Sequence, residues 1–301
     1  MIKHWISAFR LKTLPLSFSS ILVGNFLGFT TNGFNWSILI LSLITTLFLQ
    51  ILSNLANDLG DALKGTDNES RIGPERAIQS GSISINQMKK AVVIFSFLSL
   101  FSGVTLLISS FEISQFYWII SFLILGLGAI AAAIFYTMGK NPYGYRALGD
   151  IFVLIFFGWV GVLGSNFLQT QEILLIDILP ATSIGLLAIG VLNMNNIRDL
   201  KSDKLSGKIT IPVLLGNDNA KKYHSIIIIL SLALLLFYSL YNFKDWWQYL
   251  YLLTSFPLFL NIRFVKNNKV ASELNPELKR VALTTFFISI TLSITLIFSK
   301  V

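Results

Sequence analysis

The strongest constraint on this chain is a repetition. Apolar runs of roughly 18 to 24 residues, each long enough to cross a ~30 Å hydrocarbon core as a helix, recur along its length with polar breaks between them. Nine spans are expected, near residues 14–31, 36–56, 90–110, 116–138, 150–169, 174–195, 223–241, 246–264 and 281–299. Composition agrees: 13% of residues are charged, about half the usual share of a soluble domain. The first run follows Lys3, Arg10 and Lys12 as a signal peptide would. It lacks a small-residue cleavage site and eight more spans follow, so it reads as a retained helix. The expected fold is an all-α membrane protein, about nine transmembrane helices in one bundle over residues 1–301, with polar loops capping a central cavity.

Charge sets the orientation. The N-terminus and the even-numbered connections hold 21 of the 23 Lys and Arg residues; only Lys244 and Lys300 fall on the other side. By the positive-inside rule the N-terminus and the long connections, 57–89, 140–149, 196–222 and 265–280, are cytoplasmic; the expected location is the cytoplasmic (inner) membrane. The net charge of +8 is therefore topological and calls for no nucleic acid. With no Cys and two His, disulfides, thiolate chemistry and a His-based metal cluster are excluded.

The same face holds 11 of the 15 acidic residues. Span 2 ends in Asn54, Asn57, Asp58 and Asp61, and span 6 ends in Asn196, Asp199 and Asp203. Asn57/Asp61 and Asp199/Asp203 are i,i+4 pairs, which share a face if the helices continue. The two segments lie four spans apart, as a parallel duplication of spans 1–4 and 5–8 would place them. Facing each other, they would ring a cavity with carboxylate and amide oxygens, donors that suit a hard divalent cation such as Mg²⁺ shared with a phosphorylated substrate. Lys64, Arg71, Arg76 and Lys201 in the same connections, with Arg10, Lys12 and Lys140 at other helix ends, supply cations for a diphosphate. A single Asp at a helix end is ordinarily just solvated, and a single Lys or Arg is ordinarily a topology signal. Two spaced Asn/Asp sets are harder to read that way. Tyr136, Tyr143 and Tyr145 fit either an interfacial belt or an aromatic-binding mouth. A transporter using duplicated acids explains the repeat equally well, but not the crowding of acids and bases in one-sided loops.

Nine spans, an NDxxD segment after span 2 and a DxxxD segment after span 6 together resemble the intramembrane aromatic prenyltransferases of the UbiA superfamily. Within it, "NDLGDALKGTDNESRIGP" (57–74), "GLGAIAAAIFYTMGKNPYGYRALGDIFVLIFFGW" (126–159), "NNIRDLKSDKLSGKIT" (195–210), "FRLKTLPLS" (9–17) and "NPELKR" (275–280) resemble the branch acting on 1,4-dihydroxy-2-naphthoate. The resemblance implies Mg²⁺ held by Asn57, Asp58, Asp61, Asp67, Asp199 and Asp203. It implies a polyprenyl diphosphate contacted by Arg10, Lys64, Arg71, Arg76, Lys140, Asn196 and Lys201. Tyr136 and Tyr143 would grip the acceptor or shield a cation, and Asp61, Asp199, Lys140 and Tyr143 would stand at the reacting centre. Many relatives carry an Asp at the position of Gly65; here the next acid is Asp67, whose role that departure leaves open. The implied reaction joins the prenyl group to 1,4-dihydroxy-2-naphthoate with loss of CO₂ and diphosphate. 4-Hydroxybenzoate and homogentisate remain alternative acceptors.

Overall fold

In the computed structural model, residues 2–31, 33–66 and 76–299 are described. Among them there is no β-strand, only an isolated bridge between Arg146 and Ile209. The helices are α1 (Ile2–Phe9), α2 (Leu14–Leu27), α3 (Trp36–Leu63), α4 (Ile85–Ser110) and α5 (Phe116–Phe135). They continue as α6 (Gly149–Thr170), α7 (Ile178–Arg198), α8 (Leu200–Leu205), α9 (Ile211–Leu215), α10 (Asn217–Asn242), α11 (Phe256–Asn267) and α12 (Leu274–Phe298). Eight segments among the described residues are long and apolar enough to cross a membrane. This is a multi-pass membrane protein.

Local signals account for several boundaries. Pro15 sits in the first turn of α2, where its missing N–H is not needed. The Asn35 side chain caps α3 by accepting from the Ser37 N–H, and Ser84 with Gln87 forms a capping box on α4. Eight of the nine expected spans correspond to the membrane-length segments. The other, 246–264, is a 3₁₀ helix over Trp246–Ser255 followed by α11. A 3₁₀ helix rises about 2.0 Å per residue, so this ten-residue stretch and α11 together still reach across.

Helix α3 has 28 residues, about 42 Å at 1.5 Å per residue. That exceeds a ~30 Å hydrocarbon core by about two turns, so the Asn57–Asp61 segment can stand at the interface while its apolar stem crosses. Helix α3 packs on α4, and α7 packs on α10 and α6. Residues Leu154–Gly164 of α6 are π-helical. This wider stretch lies close against its neighbours: a Cβ on Gly158 would stand 2.8 Å from the Ala181 carbonyl oxygen and 3.2 Å from Gly185 Cα. Small residues thus set the α6–α7 distance. The buried apolar side chains form one core around α2, α7, α10 and α12, another between α3 and α4, and a smaller third joining the start of α3 to the ends of α4 and α6.

Candidate active site

Between these cores lies a cavity of about 900 Å³. At one end it is polar, lined by Arg10, Asn57, Asp58, Asp61, Arg76 and Asn196; from there it runs down between α2, α3, α4, α5 and α6 past Leu49, Leu100, Phe156 and Val160. A second, smaller pocket of about 30 Å³ is lined by Asp61, Thr66, Arg76, Asn195, Asp199, Ser202, Asp203 and Lys208. Asp61, Arg76, Asn195 and Lys208 line both. The acids of the two expected segments are therefore brought together at one end of the bundle.

Helix α3 does continue through Asp61, so Asn57 and Asp61 share a face. The second pair is built differently. Helix α7 ends at Arg198, Asp199 bridges to α8, and the Asp203 N–H still donates to the Asp199 carbonyl at 2.8 Å. The Asp199 carboxylate is clasped by its own neighbour: Arg198 Nε donates to Oδ1 at 2.8 Å and Nη2 to Oδ2 at 2.5 Å. Arg198 also donates to Asn195 and Asn275.

On the α3 side, Asp58 accepts from Arg10. Arg76 Nη1 lies 2.8 Å from Asp61 Oδ2, 3.3 Å from Asp58 Oδ1 and 3.2 Å from the Asn57 carbonyl oxygen. Tyr145 donates its phenol hydrogen to Asp61 Oδ1 at 2.8 Å. Two backbone bonds hold Tyr145 there, Ala147 N–H to the Ile209 carbonyl and Ile209 N–H to the Tyr145 carbonyl, and they bring Lys208 alongside. Lys208 Nζ stands 3.6 Å from Asp203 Oδ1 and 5.6 Å from the centre of the Tyr145 ring.

Among the described residues no three acidic or imidazole side chains converge as a ready-made metal cluster; Asp58, Asp61 and Asp199 instead hold arginines. The set nevertheless fits a divalent cation. Asp203 Oδ2 is buried with no hydrogen-bond partner. Burial pushes the Asp203 carboxyl up to about 6, with Asp199 and Asp61 adding to the rise and Lys208 opposing it. An orphaned carboxylate oxygen beside two further carboxylates and an amide is an oxygen donor set of the kind a hard divalent cation takes.

Tyr143 and Tyr136 also line the cavity. Their rings meet edge to face at 5.2 Å, and Tyr143 stacks on Phe152 at 3.9 Å. Burial raises the Tyr143 phenol above its ordinary value, and its hydrogen is donated to the Ala132 carbonyl at 2.7 Å. Near neutral pH it is a protonated donor rather than a base.

The expected residues thus divide. Arg10, Asn57, Asp58, Asp61, Arg76, Tyr136, Tyr143 and Asn196 line the large cavity; Asp199 and Asp203 line the small pocket. Lys64 is exposed at the rim, 5.3 Å from the centre of the Tyr145 ring. Lys140 and Lys201 are exposed and line neither cavity. Lys201 is two residues from both Asp199 and Asp203, a spacing that points side chains apart on a helix. Asp67 and Arg71 lie outside the described residues. The structure adds Asn195, Arg198 and Lys208, which stand in the quoted 195–210 stretch without a role assigned there, and gives Tyr145 a carboxylate partner.

Comparison with known proteins agrees with this arrangement. The chain is 44% identical over 277 residues to the 1,4-dihydroxy-2-naphthoate octaprenyltransferase of Escherichia coli K12, covering 92% of this chain and 89% of that one. It is 42% identical over 299 residues to the Haemophilus influenzae protein of the same name, covering 98% and 96%. Its fold matches that of a UbiA homolog from Archaeoglobus fulgidus bound to GPP and Mg²⁺, with a TM-score of 0.69 at 16% identity over 99% of both chains. Residues 17–293 match the model of one family, and the chain belongs to it: the UbiA prenyltransferase family.

Proposed function

We propose that this protein transfers a polyprenyl group from an allylic diphosphate to 1,4-dihydroxy-2-naphthoate, releasing diphosphate and CO₂ and forming the quinol of demethylmenaquinone. The observation that carries the reading is the junction of two environments: both acidic segments meet in a polar pocket that shares its walls with a long apolar cavity. A molecule with a diphosphate head and a hydrocarbon tail needs both. The near-full-length relatives from two bacteria support this acceptor.

Asn57, Asp58, Asp61, Asp199 and Asp203 would hold Mg²⁺, which when bound supplies positive charge to the departing diphosphate. Arg10 and Arg76, already at the mouth, exchange carboxylate for phosphate oxygens as the donor enters. Lys208 and Arg198 do the same from the other segment. As the allylic C–O bond breaks, positive charge develops on the prenyl carbon. The Tyr136, Tyr143 and Phe152 rings present π-faces to that charge and exclude water from it. The ring carbon bearing the naphthoate carboxylate forms the new C–C bond. The C–CO₂ bond then breaks, its electron pair returns to the ring, and CO₂ leaves.

By the charge asymmetry of the connections, the site faces the cytoplasm from the inner membrane. The chain is one domain, and the matched pairings α3–α4 and α7–α10 support its origin in a parallel duplication. The test uses membranes containing the protein, an all-trans polyprenyl diphosphate and carboxyl-labelled 1,4-dihydroxy-2-naphthoate, with and without Mg²⁺. Mg²⁺-dependent release of labelled CO₂ with a new prenylated naphthoquinol, which air oxidises to the quinone on extraction, is the expected result. Prenylation of 4-hydroxybenzoate or homogentisate instead would overturn the acceptor.

A further inference from the structure

The apolar limb of the cavity is deep, and its wall is small-residued at two defined levels. On α5 the residues Phe122, Gly126, Ala129, Ala133 and Tyr136 recur at helical spacing and all line the cavity, so a side chain at position 126 projects into it. A Cβ there would meet nothing within 4 Å. On α4, Ser99, Gly103 and Leu106 line it likewise. A Cβ on Gly103 would have Thr45 Cγ2, another lining atom, as its only neighbour, at 3.9 Å. These glycines differ from Gly60, Gly158 and Gly161, where a Cβ would run into neighbouring atoms.

The two levels are set by helix rise. Gly126 lies ten residues from Tyr136 at the mouth, about 15 Å down α5. Thr45, which marks the level of Gly103, lies sixteen residues from Asp61, about 24 Å down α3. Unpartnered polar atoms mark the same limb. Ser20 Oγ on α2, Ser42 Oγ and Thr45 Oγ1 on α3 are buried without hydrogen-bond partners, Ser20 and Ser42 being each 2% exposed. In membrane helices a serine hydroxyl ordinarily bonds back to a carbonyl one turn earlier, as Ser165 does here. Hydroxyls left unpaired along an apolar cavity suit a ligand that is hydrocarbon yet offers weak acceptors at intervals, and an alkene π-cloud in each unit of a prenyl chain is one.

We propose that Gly126 and Gly103 determine which prenyl tail lengths this protein accepts. Gly126 leaves the passage open at the shallower level and Gly103 at the deeper one, and longer tails pass or fold back beyond Gly103. The inference rests on the donor half of the function proposed above. Four carbon–carbon bonds of about 1.5 Å give a prenyl unit roughly 5 Å long. A side chain at 126 therefore meets the tail at about the third unit and one at 103 at about the fifth.

The test is binding of geranyl, geranylgeranyl and octaprenyl thiolodiphosphates, which resist ionisation, with Mg²⁺ to the purified protein and to Gly126→Leu and Gly103→Leu. Turnover of the parent diphosphates is measured in parallel. In Gly103→Leu the octaprenyl affinity falls about ten-fold or more relative to geranyl, while the geranylgeranyl-to-geranyl ratio holds. In Gly126→Leu the geranylgeranyl ratio falls as well. Equal losses at all lengths, or no loss at any, overturn the proposal. If a leucine variant fails to bind even the geranyl analogue, the alanine variant at that position decides by the same length order. A wild-type protein that binds none of the analogues overturns the proposal together with the donor assignment. Length-ordered binding without turnover of the naphthoate overturns only the acceptor.

Discussion

Replacing Tyr145 by Phe removes one hydroxyl from the carboxylate cluster. The ring remains, and with it the approaches of Lys64 at 5.3 Å and Lys208 at 5.6 Å; the O–H donated to Asp61 Oδ1 at 2.8 Å is removed, together with the 2.6 Å hydrogen bond to the buried Thr66 Oγ1. Asp61 is 3% exposed, so bulk water cannot replace the lost donor, while Arg76 still holds Oδ2. A hydrogen bond to a buried charged group contributes about 1.5–3 kcal/mol. With the second oxygen still held, the lower end is expected, about 1.5 kcal/mol, or roughly ten-fold in kcat/KM for the donor. The variant should need more Mg²⁺ for half-maximal rate, because Asp61 is less well aimed, and should keep the wild-type KM for the naphthoate. The assay is initial rate against donor, acceptor and Mg²⁺ in turn. A change confined to acceptor KM, with donor and Mg²⁺ dependence untouched, would show that Tyr145 serves the aromatic ring and not the carboxylate.

Asp61→Asn and Asp203→Asn should each lower turnover about 100-fold or more while the protein inserts and elutes normally; wild-type turnover in either would remove these residues from the metal set. Chelating Mg²⁺ should abolish turnover reversibly, whereas a proton-linked transport activity would survive. Tyr143→Phe frees the Ala132 carbonyl and keeps the stack on Phe152, so it should raise acceptor KM more than donor KM; a donor-only defect would reassign it to the diphosphate. Gly60→Ala places a Cβ 2.8 Å from the Thr137 carbonyl carbon. Displacing that backbone should cost about 1–3 kcal/mol and pull the 136–146 loop from the site. An unchanged unfolding midpoint and unchanged Mg²⁺ dependence would contradict the close approach.

How much of this was legible in the sequence depends on the range of the interaction. Membrane spans follow from apolar runs, and eight appear as expected. The segment 246–264 reads the same whether its first turns are α or 3₁₀, because WWQYLYLLTS is apolar under either period. The Asn57/Asp61 face was legible because i,i+4 is a local relation; the break at Asp199 was not, since nothing in the motif distinguishes a capped kink from a continuing helix. Basic residues were the least legible. Lys201 and Lys140 stand in or near the motifs yet point outward. Lys208 and Tyr145 stand among the carboxylates through pairings between distant segments, which no short-range pattern encodes.

The length of α3 ties the chemistry to the thickness of the lipid around it. Asp61 is twenty-five residues beyond Trp36 at the far end of the helix, about 37 Å. It clears the apolar slab only while that slab stays near ~30 Å. In a bilayer of longer acyl chains the helix must stand more upright or draw its acidic turn toward hydrocarbon; in a thinner one it tilts and lifts the turn into water. Such mismatch costs fractions of a kcal/mol per Å, enough to alter how readily a charged headgroup and a divalent ion are exchanged. The membrane's own composition thereby sets how well the enzyme works on the lipid it makes.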